Sequence, residues 1–181
     1  MIESLNTAGK AGVVVPHGVL FRGASEGKIR KEVLTEDLIE AVIGLPSNLF
    51  FGTGIPAAII IFNKQKVNKE KFLFIDASKG FNSAKNQNVL GKDHIQHIVE
   101  VYTNFHNHKM DKGVIKDKFA YIADLAEITE NDFNLNIPRY VDTYEEEPEI
   151  DLTATQIRIT ELEKELADVK TEMEKYLQFF N

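Results

Sequence analysis

The stretch LPSNLFFGTGIPAAIIIF, residues 45–62, carries the strongest structural signal in the chain. It opens with a proline-marked turn and closes with an uncharged run, residues 57–62, that includes three consecutive isoleucines. Such a β-branched run between turn residues is typical of a strand buried on both faces of a sheet. Phe50 and Phe51 precede it in a glycine-containing loop, where exposed apolar rings favour a ligand or a partner. Alternatively, both rings cap the hydrophobic end of the sheet.

The composition narrows the classes of protein to consider. The 181 residues suffice for one domain with an appended element. The absence of cysteine excludes a disulfide framework, a thiolate zinc site and a cysteine nucleophile, and fits a cytoplasmic location. We expect no membrane contact, because the apolar run is far shorter than the ~20 residues of a span and no signal peptide is evident. The formal net charge of −7 argues against a chain that binds DNA phosphates without help from another polypeptide.

Short apolar segments predict a mixed α/β sheet. Residues 12–16, GVVVP, predict an interior strand, and residues 38–45 and 57–62 predict two more. The last two are joined by a connection too short for a parallel crossover, so we expect them to pair antiparallel in a hairpin. Residues 72–76, FLFID, predict a fourth strand. The segment after residues 12–16 follows the carboxyl end of a strand, where open α/β sheets bind ligands.

Two weaker signals are interpreted structurally. His94 and His97 are three residues apart, a spacing compatible with a metal, yet no third ligand is near in sequence, so we expect surface histidines and no metal site. A phosphate-binding use of the Gly-Thr-Gly bend is disfavoured, because no Lys-Ser or Lys-Thr follows it.

The last part of the chain predicts a separate element. Residues 124–140 predict a short helix followed by an irregular surface segment, and the acidic residues 144–151 predict a linker that ends the domain 1–143. Within 152–181, apolar residues recur at alternating spacings of three and four, as in a heptad seam. This amphipathic, coiled-coil-type helix needs a second helix from its own chain, a copy or another subunit, unless it folds back on its domain. The seam consists of Ile159, Leu162, Leu166, Val169, Met173, Tyr176 and Phe180.

Several segments in this order resemble the modification (methyltransferase) subunit of type I restriction-modification systems, an adenine-N6 DNA methyltransferase family. The resemblance implies the second half of a Rossmann-like, S-adenosylmethionine-dependent sheet that closes with an antiparallel hairpin, followed by the C-terminal helix. The segments are GVVVPHGVLFRG at 12–23, IRKEVL at 29–34, IEAVIGLPSNLFFGTGIPAAIIIFNK at 39–64, FLFIDAS at 72–78 and ENDFNLNIPRYVD at 130–142.

The resemblance also implies roles for the loops. Such enzymes take the target adenine out of the duplex, because its amino group is inaccessible while paired. In the family, an aromatic residue before the last strand stacks on that base. By position it is Phe50, with Phe51 as the near alternative. The other loop residues near the active site are Pro16, His17, Gly18, Gly52, Thr53 and Gly54.

Parts of the family pattern are absent. The sequence contains no Asn-Pro-Pro-Phe segment and no glycine-rich cofactor turn. We therefore interpret the chain as a C-terminal fragment that holds no catalytic residue and binds S-adenosylmethionine only as part of the full-length protein. The implied partners are the specificity and restriction subunits, a second modification subunit and double-stranded DNA. The alternative function is a non-catalytic protein–protein interaction module that acts through its C-terminal helix.

Overall fold

The computed structural model describes residues 2–108, 113–115, 118–142 and 152–178. The chain divides into two units, Met1–Thr143 and Tyr144–Asn181. The first unit contains a six-stranded mixed sheet with helices on both faces, and the second contains one long helix. A mixed α/β architecture is therefore confirmed.

The strands are β1 (Lys10–Pro16), β2 (Ile39–Gly44), β3 (Ala57–Asn63), β4 (Lys71–Asp76), β5 (Asn82–Ser83), β6 (Asn88–Val89), β7 (Gly113–Ile115) and β8 (Ala120–Asp124). The α-helices are α1 (Ala24–Thr35), α2 (Lys92–His106), α3 (Leu125–Glu130) and α4 (Leu152–Gln178). Short 3₁₀ turns cover His17–Leu20 and Ile137–Arg139.

The main sheet has the strand order β1-β3-β2-β4-β8-β7. The predicted antiparallel pairing of β2 with β3 is confirmed, and β2 runs parallel to β4. The prediction that β1 is an interior strand is wrong within the described residues, because β1 pairs with β3 alone and its residues alternate between exposed and half-buried. The β-branched composition of β1 predicted a strand but could not predict how many neighbours it has.

Strand direction defines the two ends of this sheet. Because β3 is antiparallel to both β1 and β2, and β2 is parallel to β4, the strands β1, β2 and β4 run in one direction. They finish at Pro16, Gly44 and Asp76, which we call the carboxyl end of the sheet. The opposite end, where these strands begin, is called the amino end.

The core lies on both faces of the sheet. On one face, Val42, Ile60 and Phe74 pack beneath α1 and α3, and on the other, Ile43 and Leu73 pack beneath α2. In the isoleucine run of β3, Ile60 is buried, whereas Ile59 and Ile61 are only half-buried. Burial of apolar area on both faces is the main favourable term that holds these strands together.

The segment 131–142 includes the irregular part of residues 124–140, which was predicted to lie on the surface, and that prediction is wrong. Leu135 and Ile137 are fully buried against the face that carries α1, and the ring of Tyr140 stacks on Phe74 at a centroid distance of 3.9 Å. Its apolar residues follow no regular period, which is why the sequence pattern gave no signal of burial.

The second unit is represented by α4. The described seam residues lie on this helix and are exposed by 44 to 63%. Phe180 and the predicted linker 144–151 lie outside the described residues. None of the helices in the described part of the chain is both long and apolar enough to cross a membrane.

Candidate functional site

Three loops meet at the carboxyl end of the sheet. They follow β1, β2 and β4 and comprise residues 17–23, 45–56 and 77–91. The loops that follow parallel strands lie at the same end of the sheet, and this end is the usual ligand-binding side of an α/β sheet. The predicted loop residues lie in these loops, except Pro16, which is the last residue of β1.

The 45–56 loop has a defined conformation. The Leu45 N–H donates to the Ala57 carbonyl oxygen at 2.9 Å and closes its base, and the Ile55 N–H donates to Thr53 Oγ1 at 3.1 Å. Gly52 has φ of +77°, a left-handed conformation that glycine adopts at no steric cost. The glycine that follows the phenylalanine pair therefore sets the bend of the loop.

Phe50 and Phe51 occupy different environments. Phe50 lies beside a cavity of about 250 Å³ and is 44% exposed, whereas Phe51 does not line this cavity and is 85% exposed. The sequence could not distinguish the two rings. The cavity is lined by Val14, Val15, Pro16, Phe50, Thr53, Ile55, Pro56 and Ala57.

The cavity joins two of the predicted loops. Pro16 and Thr53 lie in its wall, and the His17 N–H donates to the Pro56 carbonyl oxygen at 3.2 Å across its base. Gly54 lies apart from the wall, and its α-carbon approaches the Asn48 side chain so closely that a β-carbon would lie 3.0 Å from Asn48 Oδ1. Among the described residues, no titratable side chain lines the cavity, so this surface is suited to holding a flat apolar group rather than to proton transfer.

His17 stands at the edge of this region. Its ring meets Phe21 edge-to-face at a centroid distance of 6.0 Å. Burial lowers the pKa of His17 below 6.5, and the negative charge of Asp76 partly offsets this effect. The imidazole is therefore mostly neutral at pH 7. Gly18 packs on its own turn, where a β-carbon would meet the Arg22 guanidinium.

Asn88 joins the third loop to the loop that carries Phe50. Its backbone N–H donates to the Asn48 carbonyl oxygen at 2.8 Å, and its side-chain Nδ2 donates to the Ser47 carbonyl oxygen at 2.9 Å. These bonds hold the 77–91 loop against the segment just before Phe50. Sequence reasoning missed Asn88, since one asparagine in an asparagine-rich loop carries no local signal.

Arg30 anchors the loop after β1 and was also missed. Its Nε donates to the Phe133 carbonyl oxygen at 2.8 Å, and its Nη1 donates to the carbonyl oxygens of Val19 and Arg22 at 2.9 Å each. The Leu135 N–H adds a bond of 2.9 Å to the Leu20 carbonyl oxygen. The segment 131–142 therefore fixes the turn that follows Pro16.

The paired histidines of α2 have structural contacts. His94 Nδ1 accepts from the Gly91 N–H at 3.1 Å at the start of the helix, and the His97 ring lies 4.3 Å from the Phe119 ring. Within the described residues, no group of three or more His, Cys, Asp or Glu side chains is placed to hold a metal ion.

Comparisons with known proteins identify the family. The family model of the N-6 DNA methylases matches residues 1–149. The MjaVII methylase subunit of a type I restriction enzyme from Methanocaldococcus jannaschii is 40% identical over 93% of this chain, which spans 29% of that protein.

Solved structures agree with this result. A type I methyltransferase subunit from Streptococcus thermophilus superposes with a TM-score of 0.66 at 51% identity, over 75% of this chain and 27% of that one. The EcoKI M protein shares the fold, with a TM-score of 0.58 at 19% identity over 96% of this chain and 42% of that one. The chain thus spans about 30% of the length of its curated relatives. It belongs to the N-6 DNA methylase family.

Proposed function

We propose that this chain is the part of an adenine-N6 DNA methyltransferase subunit, of the type I restriction-modification class, that presents the target base to the active site. The observation that carries the proposal is the half-exposed Phe50 ring beside an apolar cavity at the carboxyl end of the sheet. The names of the relatives supply the reaction class, and double-stranded DNA is the proposed substrate.

The proposed role of Phe50 follows from the chemistry of the base. An adenine in a duplex must leave the stack before its amino group can react, and a ring that receives it compensates for the lost stacking. Stacking on an aromatic side chain is worth about 1–3 kcal/mol per base. The apolar lining and the ring of Phe50 suit a flat heterocycle, so Phe50 is preferred over Phe51 as the stacking residue.

The cofactor and the methyl transfer are assigned to the rest of the protein. S-adenosylmethionine supplies the methyl group in this family. The cavity beside Phe50 does not fit it, because the described residues that line this cavity offer no carboxylate to its ribose and no charged partner to its amino acid group. We therefore propose that the chain neither binds the cofactor nor transfers a methyl group by itself, and that it acts within a larger, cytoplasmic subunit.

The helix α4 is proposed to serve assembly. Its apolar seam is exposed along the described length, and a single amphipathic helix gains little stability without a partner. The proposed partners are the specificity and restriction subunits of the same system and a second modification subunit.

The exposed seam also supports the alternative function, an interaction module without a role in methylation. Deletion of residues 152–181 from the complete subunit distinguishes the two functions. The interaction-module alternative predicts that only this deletion impairs the function of the complete subunit. The main proposal predicts that substitutions of Phe50 also lower methylation.

The test of the main proposal is methylation by the complete methyltransferase carrying Phe50→Ala. Losing about 1–3 kcal/mol of stacking corresponds to a decrease of roughly 5- to 150-fold in the single-turnover methylation rate. Phe51→Ala is the matched control, because it removes an identical ring from the neighbouring position. Equal rates for wild type and Phe50→Ala, with a defect in Phe51→Ala, would transfer the role to Phe51.

A further inference from the structure

The segment just before Phe50 is held by one residue of another loop. The Asn88 backbone N–H donates to the Asn48 carbonyl oxygen at 2.8 Å, and Asn88 Nδ2 donates to the Ser47 carbonyl oxygen at 2.9 Å. A carbonyl oxygen only accepts hydrogen bonds, so the amide nitrogen of Asn88, and not its amide oxygen, must face Ser47. Asn88 therefore fixes two consecutive carbonyl groups of the 45–56 loop.

Asn48, the second residue that Asn88 holds, connects the two sides of the loop. Its φ is +53°, a left-handed conformation that asparagine tolerates better than most residues but that persists only where the surroundings hold it. Its side chain lies against the returning part of the loop, because a β-carbon built on Gly54 would lie 3.0 Å from Asn48 Oδ1. The position of Asn48 therefore affects the chain on both sides of the phenylalanine pair.

Asn88 itself stands on a structured element. It is half-buried on β6 and pairs with Ser83 of β5 in a small antiparallel hairpin. The Ala84 N–H donates to the Gln87 carbonyl oxygen at 3.2 Å and closes the turn of this hairpin. The two donor groups of Asn88 are thus presented to the Phe50 loop by an element that has hydrogen bonds of its own.

From this geometry we infer that Asn88 is a positioning residue for methylation, which holds the Ser47-Asn48 segment so that the Phe50 ring stays in place to receive the target base. The inference rests on the proposed function and adds how the stacking ring is kept in position. Asn88 acts two residues along the chain from Phe50 and needs no contact with the base. A ring that is already in position loses less freedom when the base arrives, so binding and stacking cost less.

The test removes the Asn88 side-chain donor without changing the size of the residue. Asn88→Asp replaces Nδ2 by a carboxylate oxygen, which the Ser47 carbonyl oxygen repels. In the complete methyltransferase, we expect the single-turnover methylation rate to fall roughly 2- to 13-fold, the change that corresponds to one ordinary hydrogen bond. Asn88→Ala, which adds no charge, should act in the same direction. Asn86→Asp is the matched control, because it adds the same charge at an exposed position in the turn of the same hairpin, and it should keep the wild-type rate.

A double-mutant cycle with Phe50 separates positioning from a general effect on stability. If Asn88 acts through the ring, Asn88→Asp should lower the rate of the wild type but leave the rate of Phe50→Ala almost unchanged. A residue that only stabilises the fold would lower both rates by the same factor. With 2-aminopurine at the target position, the emission should rise in Asn88→Asp, as in Phe50→Ala, because the displaced ring no longer stacks on the base.

Equal rates for the wild type and both Asn88 variants overturn the inference, and so does an equal loss of rate in the wild-type and Phe50→Ala backgrounds. If Phe50→Ala itself lowers methylation, either result disproves only the role of Asn88 and leaves the proposed function standing. A Phe50→Ala variant that methylates as fast as the wild type would instead disprove the stacking role of Phe50, on which the inference depends.

Discussion

At the amino end of the sheet, Glu40 is fully buried and three polar side chains contact its carboxylate, whereas at the carboxyl end Phe51 is 85% exposed. Glu40 Oε2 accepts from Tyr102 Oη at 2.7 Å and from Asn63 Nδ2 at 3.1 Å, and Glu40 Oε1 lies 2.7 Å from His106 Nδ1. The amino end therefore buries a carboxylate that has hydrogen-bond partners, whereas the carboxyl end leaves aromatic rings exposed to solvent.

This difference separates structural from functional residues. Buried polar groups that have all their hydrogen bonds stabilise a fold, and exposed apolar rings indicate a surface that binds something. Lys66 follows the first pattern, because its fully buried ammonium pairs with Asp37 and lies 3.7 Å from the centroid of the Phe72 ring. The contrast therefore assigns stability to the amino end and supports the proposal that the carboxyl end is the binding surface.

The largest expected effect is on stability and comes from the amino end. Glu40→Ala removes the acceptor shared by Tyr102, His106 and Asn63, and breaking a buried network of this kind costs about 3–5 kcal/mol. Denaturant unfolding of the chain measures this loss. Glu32→Ala, at an exposed position of α1, is the control and should change the free energy of unfolding by less than about 0.5 kcal/mol.

The same network predicts how stability depends on pH. Burial by itself raises the pKa of Glu40, but hydrogen bonds from Tyr102, His106 and Asn63 outweigh burial, and the folded-state pKa lies below 4.5. A carboxyl with a lowered folded-state pKa contributes stability above its unfolded-state pKa and loses it as the pH falls through the folded-state value.

We therefore expect the free energy of unfolding to fall as the pH is lowered from about 5, through the ordinary carboxyl range. Glu40→Gln should remove part of that fall, which urea titrations at pH 7 and pH 4 would measure. Identical acid dependence in the wild type and in Glu40→Gln would contradict the assignment.

The smallest expected effect concerns the carboxyl end. The pKa of His17 should lie below 6.5, because burial lowers it more than Asp76 raises it. Asp76→Asn keeps an oxygen for the Ser78 N–H but removes the charge, so the pKa of His17 should fall further. Proton NMR of the imidazole across pH 5–8 reports both values, and a rise in the variant would exclude Asp76 as the opposing charge.

The two ends also differ in how well the sequence predicted them. The loop around Phe50 was predicted because glycines, proline and adjacent rings lie together in the chain, and local patterns are what a sequence displays. Arg30 contacts Phe133, and Glu40 contacts His106, across long stretches of chain. Contacts of this kind depend on strand order, so no local pattern indicates them.

Errors in the sequence interpretation have the same origin. β1 was expected inside the sheet, but it lies at the edge of the described sheet. A run of valines indicates a strand without specifying how many neighbours that strand has. The segment 131–142 was expected on the surface because Leu135 and Ile137 are set among asparagines and charges. Both segments depend on partners distant in the sequence, and their burial follows from those partners rather than from local propensity.

The most direct measurement replaces the target adenine by 2-aminopurine in a duplex bound to the complete methyltransferase. This base emits weakly when it is stacked and strongly when it is free of neighbours. If Phe50 stacks on the extruded base, Phe50→Ala should increase the emission over the wild type, Phe50→Tyr should not, and Phe51→Ala should leave it near the wild-type value. Emission that is unchanged in Phe50→Ala but increased in Phe51→Ala would contradict the assignment of Phe50.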